Sequence, residues 1–385
     1  MAGSRECWSR TLDRNSPSLD VDMSVLADAI RFSQSAEVNW PRDPFAEPAP
    51  GQVPFGVHHS DPEPWNVLRG PVHSRGGVSG VVLQHGKEIA AWGEPDRADL
   101  TFSVAKTYLA LLAGVAHGRA LLPDVYETVV KRVPGLGFDS EHNRSITWAH
   151  LLEQTSEWEG TCFGLPDTVD RYRVVSHDPR PVTGKKGEAR PLRAPGTYWE
   201  YNDVRINQLS LALLHLFRRP LPDIFREAIL EPLGAGQNFA WRGYDDAWTD
   251  IVDSGDGATR KVQSVPGGTH WGGGVSIGAR DQARIGQLLL DDGACNSGQL
   301  IPPGWAKRMR RPCAIAPFYG WLMWLNTDGT QFPGASKDAS FMIGAGGHYT
   351  WIEPAYDAVV VVRWIDAAHA PELIDRIATA LRRSA

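Results

Sequence analysis

An α+β fold is predicted by three features of this 385-residue chain. Strand patterns lie near its start and again near its C-terminus. Strongly helical patterns fill the middle, and Gly- and Pro-rich connections separate them without a regular βαβ alternation. Together these predict an antiparallel β-sheet built from both chain ends, flanked by helices as an α/β sandwich, with an inserted, mainly helical domain.

Each element follows from local pattern. Residues 1–20 are polar and are expected to be poorly ordered. Residues 23–35 (MSVLADAIRFSQS) carry apolar side chains at helical spacing. Residues 39–72 are Pro-rich and predict an extended arm. Residues 77–92 (GVSGVVLQHGKEIAAW) predict a hairpin turning at His85-Gly86-Lys87. After the loop GEPDRADLTF, the segment VAKTYLALLAGVAHG predicts a buried helix that starts beside Ser103. TWAHLLEQT, from 147, begins another helix with Thr147 as N-cap. Residues 160–200 are loops, and 204–218 (VRINQLSLALLHLFR) form an amphipathic helix. The glycines at 272–274 precede the helix ARDQARIGQLLLDDG, which ends at Gly293. Residues 319–325, 341–352 and 358–364 (AVVVVRW) are strand-like. PELIDRIATALRR closes the chain as a helix with Pro371 in its first turn. The expected division is an N-terminal helix and arm (1–76), a sheet domain (77–105 with 266–385) and a helical domain (106–265), with the site at the interface.

Composition narrows the function. Hydrophobic residues make up 42% and charged residues 22%, enough apolar surface for a sizeable core. The net charge is −6 with no basic stripe, which argues against nucleic acid as a partner. No apolar run approaches membrane-spanning length and no signal-peptide pattern opens the chain, so no membrane contact and a cytoplasmic location are expected. The four cysteines (Cys7, Cys162, Cys295, Cys313) are scattered and read as reduced structural thiols. No metal-ligand spacing occurs among the histidines, so neither metal nor cofactor is expected. Fifteen tryptophans, among them Trp158, Trp199, Trp271 and Trp351, read as packing residues, with a Trp-lined apolar pocket as the sharper alternative.

Three constellations compete for the chemistry. In Ser103-Val104-Ala105-Lys106 the hydroxyl and the ammonium share one helix face. A serine needs a partner that takes its proton, and a lysine on an apolar helix is desolvated enough to do so. Of eight lysines only Lys106 has a serine three residues earlier. The ordinary alternative is an N-cap serine with a snorkelling lysine. The second is Gly274-Val275-Ser276-Ile277-Gly278, a formal G-x-S-x-G match. It lacks the apolar strand a nucleophile elbow needs, so Ser276 is expected in a turn leading into the helix. The third is Tyr201 in PGTYWEYND. Alone it reads as a packed loop tyrosine; beside a lysine ammonium its phenolate is favoured and becomes a general base.

Taken in order, these segments resemble the serine β-lactamase-like, penicillin-recognising superfamily, from about residue 77 to the C-terminus. FSVAKTYLALLAG resembles its Ser-x-x-Lys motif, and ITWAHLLEQTSEW the helix and loop that follow. PGTYWEYND resembles its Tyr-x-Asn segment. GGGVSIGARDQARIGQLLLDDG resembles its GG-to-helix segment, and FMIGAGGHYTWIEPAYDAVVVV its final strand pair. The lean is toward the esterase and 6-aminohexanoate-dimer hydrolase branches. The resemblance implies a β-lactamase/transpeptidase-like fold in which Ser103 is acylated and Lys106 and Tyr201 move the proton. It implies an oxyanion held by the backbone N–H of Ser103 and of the strand near Gly347 or His348. Ala345, Gly346, Asn202, Asp203 and Trp158 fall on the expected substrate-binding positions.

Two departures bear on specificity. Asp203 stands where an Asn amide is usual, and a carboxylate cannot donate a hydrogen bond. Ala345-Gly346-Gly347 stands where a cationic or histidine residue is usual, which argues against β-lactamase or carboxypeptidase action and for neutral acyl groups, with His348 as a substitute donor. The function expected is hydrolysis of small-molecule esters or amides through an acyl-enzyme. Acyl transfer by the same intermediate and a non-catalytic ligand-binding domain are the alternatives, and a homo-oligomer is compatible with either.

Overall fold

A run of consecutive valines belongs in a strand buried on both faces. Val359–Val362 occupy such a strand in the computed structural model, which describes residues 21–52, 61, 63–268 and 270–382. The polar N-terminus, Cys7 and part of the Pro-rich arm lie outside the described residues.

Helix α1 (Met23–Ser35) starts at Asp22, whose carboxylate accepts from the N–H groups of Ser24 and Val25. The hairpin is β1 (Ser79–Gln84) and β2 (Lys87–Trp92). It turns through His85 and Gly86 at φ 49° and 72°, the left-handed pair that matches strand twist. Then come β3 (Asp99–Leu100), α2 (Val104–Gly118) and α3 (Trp148–Leu152), the last capped by Thr147 as expected. The chain continues through α4 (Asp203–Phe217), β4 (Ala240–Arg242), β5 (Gly274–Ile277) and α5 (Ala279–Leu290). It closes with β6 (Trp324–Leu325), β7 (Ser340–Gly344), β8 (His348–Glu353), β9 (Ala358–Arg363) and α6 (Ala370–Arg382).

The main sheet is antiparallel in the order β6-β7-β8-β9-β1-β2, so β1 pairs with β9 from the far end of the chain, Val81 opposite Val361. Val359 and Val361 pack with Val81, Leu83, Ala279 and Ala283 beneath α5. Val360 and Val362 face Leu373, Ile374 and Ile377 of α6. Each buried valine contributes ~2 kcal/mol of transfer free energy, so this strand fastens both layers. Gly286 lets α5 approach: a Cβ there would lie 2.6 Å from Val359. A smaller sheet, in the order β3-β5-β4, stands beside the start of α2.

Three local expectations need correction. Gly274–Ile277 is a strand, with Ser276 paired to Leu100 on one side and Ala240 on the other. All four of its residues are buried, so no polar alternation marks it in the sequence. Of 319–325 only Trp324–Leu325 is a strand. Before it, the Trp321 N–H bonds the Met309 carbonyl, and Leu322 bonds Leu152 and the Thr107 hydroxyl. Those tertiary bonds replace a ladder and hold Leu322 at φ 54°. Finally, 341–352 is two strands turning at Ala345-Gly346-Gly347, where both glycines have φ 76°.

The loops of 160–200 are fastened by buried ion pairs. Arg205 on α4 reaches Glu157 at 2.8 Å, Asp167 at 2.6 Å and Glu200 at 3.0 Å, and Arg190 joins Glu157 to Glu200. No helix among the described residues is long and apolar enough to cross a membrane.

Candidate active site

Ser103 sits at the mouth of α2, where the backbone is unusual. Phe102, just before it, has φ 49°, a left-handed value that costs a non-glycine residue about 1 kcal/mol or more. Opposite lies Gly268, at φ +77°, where a Cβ would fall 1.6 Å from the Phe102 carbonyl oxygen. Only glycine lets the 267–268 segment lie this close. Its carbonyls serve the site: Ser103 Oγ donates to Gly268 O at 3.2 Å, and Lys106 Nζ donates to Gly267 O at 3.2 Å.

Lys106 Nζ lies 2.8 Å from Ser103 Oγ. The lysine is 1% exposed, so it does not snorkel, and Ser103 makes no side-chain capping bond to the helix. Burial pulls the Lys106 ammonium below the ordinary lysine range; Asp203 resists this, and Arg173 adds to it. Tyr201 lies beneath, with Lys106 Nζ 4.9 Å from its ring centre and its ring stacked on Trp324. Burial and then Asp203 push the phenol up, against Arg173 and a hydrogen bond with Ser103. The expectation of a favoured phenolate is therefore corrected: Tyr201 holds its proton, and Lys106 is the group eased toward its neutral form.

Asp203 explains this balance. It is wholly buried, with Oδ1 2.7 Å from Lys106 Nζ and Oδ2 2.5 Å from Arg173. Burial alone would raise its carboxyl, but Arg173 and Lys106 hold it well below the usual range. It faces inward as the counter-ion of Lys106 and Arg173. Behind it, His270 lies 3.4 Å from Asp203 and 2.6 Å from Asp61, and Asp170 pairs with Arg173 at 3.1 Å. Asp61, Asp170 and His270 bring ligand atoms within 4.8 Å of one another, the one such metal-ligand grouping among the described residues. The Lys186 ammonium bonds Asp61 and lies 3.4 Å from Asp170, so the cluster already has its cation.

The other expected residues separate. Asn202 is fully buried and caps α4, its side chain accepting from the N–H groups of Val204 and Arg205 and donating to Asp167. Trp158 is buried against Gly137 and Gly160. Gly346 packs on Trp364 and Trp40, and Gly347 on the Ile365 carbonyl. His348 is buried, its ring 4.3 Å from that of Trp364, and burial pulls its imidazole well below the usual range. It is a core residue rather than one exposed at the turn. The turn instead packs through Gly344 on the segment that precedes Ser103, where a Cβ would lie 2.1 Å from the Thr101 carbonyl, and Ala345 beside it is exposed. Ser276 makes a separate contact, 2.8 Å from His73 Nε2, but within a strand paired on both sides, not at an elbow.

Sequence reasoning missed Arg173, His270 and the Gly267-Gly268 carbonyls. The doubled glycine was a visible signal. Arg173 carried none, because only the folded loop brings it to Asp203. The described cysteines (Cys162, Cys295, Cys313) are free, and burial raises the Cys162 thiol to about 12.

Residues 66–380 match the family model described as Beta-lactamase. No curated protein matches. Among solved structures, EstCE1, a hydrolase with promiscuous acyltransferase activity, is 17% identical with a TM-score of 0.56, covering 79% of this chain and 93% of its own. Simvastatin synthase (LovD) from Aspergillus terreus is 17% identical at 0.54, covering 80% and 94%. The octameric penicillin-binding protein homologue from Pyrococcus abyssi is 18% identical at 0.54, covering 79% and 73%. At these identities the likeness is one of fold.

Proposed function

The chain belongs to the beta-lactamase family, and from that premise we propose that it is a serine hydrolase cleaving small-molecule esters, or amides, through an acyl-enzyme on Ser103. The observation that carries this is the 2.8 Å contact between Ser103 Oγ and a buried Lys106 whose ammonium is destabilised. A non-catalytic binding domain has no use for a desolvated lysine on a half-buried serine.

In this mechanism neutral Lys106 takes the Ser103 proton as Oγ bonds to the acyl carbon. Tyr201, still protonated, gives its proton to the departing oxygen or nitrogen and is reprotonated from the Lys106 ammonium. Water then attacks the acyl carbon, its proton returns through the same pair, and Ser103 is released with a proton. The oxyanion is received by the Ser103 N–H and by the Ala345 N–H. The close approach of Gly344 to Thr101 supports that choice over Gly347 or His348. Each such donor is worth roughly 100- to 1000-fold in rate. An alcohol or amine in place of water gives acyl transfer, the activity named for EstCE1. The same proposal divides the chain into a sheet domain (77–105 with 266–385) and a helical domain (106–265) with Ser103 at their junction, and allows a homo-oligomer of the kind named for the Pyrococcus homologue.

The test is steady-state hydrolysis of p-nitrophenyl acetate. Ser103→Ala abolishes turnover while leaving the melting temperature within a few degrees of wild type. Retained turnover in that variant overturns the proposal.

A further inference from the structure

The expectation of neutral substrates rests on the Ala345 turn alone. Beside Tyr201 the surface has a different character. A cavity of about 540 Å3 opens there, the size of a small-molecule site. Four arginines line it (Arg173, Arg180, Arg190 and Arg193) against two carboxylates, Asp178 and Glu200. In a chain of net charge −6 this is a local reversal of sign.

Three of these arginines are engaged. Arg173 holds Asp203 and Asp170. Arg180 grips Asp178 through two nitrogens, at 2.9 and 2.8 Å. Arg190 forks Glu157 at 2.6 and 2.7 Å and reaches Glu200 at 2.8 Å. Arg193 is exposed; its backbone N–H donates to Glu157 at 2.9 Å, but its guanidinium pairs with no carboxylate among the described residues and lies 5.2 Å from the centre of the Tyr198 ring. Val174 and Val182, on the same wall, are 68% and 53% exposed, unusual for valine. The cavity thus combines one uncommitted cation with an apolar surface, and it touches Tyr201, whose ring centre lies 4.9 Å from Lys106 Nζ.

We propose that this cavity is a subsite for a carboxylate carried by the substrate, received by Arg193, with the substrate's chain or ring lying on Tyr198, Val174 and Val182. The proposal rests on the hydrolase role of Ser103. A guanidinium takes a carboxylate through two parallel N–H bonds, a geometry that a lysine only partly reproduces. The substrates indicated are esters or amides with a free carboxylate on the acyl or on the leaving side.

Two matched pairs separate the sides: p-nitrophenyl hydrogen adipate against p-nitrophenyl hexanoate, and 4-(hexanoyloxy)benzoate against phenyl hexanoate. The anionic member of at least one pair has the higher kcat/KM, by roughly 10- to 100-fold. Arg193→Gln brings that ratio toward one through KM, Arg193→Lys restores part of it, and added salt lowers it. Equal kcat/KM within both pairs, or a preference that survives Arg193→Gln, overturns the subsite while leaving the hydrolase proposal standing. If wild type turns over none of these esters, the hydrolase proposal is what fails. Calorimetry with adipate then decides the subsite by itself: binding that Arg193→Gln abolishes supports it, and absent binding overturns it.

Discussion

Asp203 sets the charge state on which Lys106 depends. With asparagine in its place, burial and Arg173 would still lower the ammonium, opposed by Asp170 without the carboxylate that contacts it. The carboxylate 2.7 Å away holds part of the charge in place. Since the neutral amine is the base, activity rises as Lys106 loses its proton, so kcat/KM climbs toward alkaline pH. Asp203→Asn lowers the lysine further and moves that limb to lower pH; a limb that does not move contradicts the coupling. Tyr201→Phe loses roughly 100- to 10,000-fold on an alkyl ester. It loses much less on a p-nitrophenyl ester, whose leaving group needs no proton; equal losses on both would exclude Tyr201 as the donor. Ser103 and Lys106 were legible in the sequence because one helix turn joins them. Asp203 was legible only as a missing amide, since its contact with Lys106 arises where α2 packs on α4, across 97 positions of chain.

At the scale of elements, two short segments hold the site. Gly268 admits no Cβ beside the Phe102 carbonyl. Gly268→Ala therefore costs more than the ~1–2 kcal/mol of a left-handed alanine and displaces Ser103, so stability and activity fall together. A variant with both intact would show that the 267–268 segment can move aside. Asn202 caps α4 and steadies the residue before Asp203. Asn202→Ala costs about 1–2 kcal/mol by chemical denaturation. As it holds no substrate, the loss of activity falls on kcat rather than KM. The hairpin, the long helices and the valine strand were readable because periodicity and turn chemistry act within ten residues. Gly274–Ile277 and 319–323 were not, because the strand partners of the first and the Leu322 backbone partners Leu152 and Thr107 lie far away in the chain, and the side chains of both segments are buried.

For the whole molecule, the sheet drawn from both chain ends leaves the loops of 160–200 to be held by charge. Glu157 is central: burial would raise its carboxyl, but Arg190 and Arg205 hold it at about 2. Its stabilising contribution is complete above its ordinary value near 4.5 and is lost as pH falls toward 2. Glu200, raised by burial, acts in the opposite sense, so the Glu157→Gln variant is needed to isolate the effect. Relative to wild type its melting temperature is lower at neutral pH, and the gap closes in acid; a constant gap would exclude the ion pairs as its source. The fold class was legible from the order of elements alone, whereas this network joins residues whose partners no local pattern reveals. The central claim, that Ser103 becomes acylated, is tested most directly by intact mass after brief exposure to a fluorophosphonate and, separately, to p-nitrophenyl acetate. A single adduct on wild type that is missing from Ser103→Ala is the result predicted. An adduct that persists in the variant would move the nucleophile elsewhere, with Ser276 beside His73 the next to test, and would contradict the account.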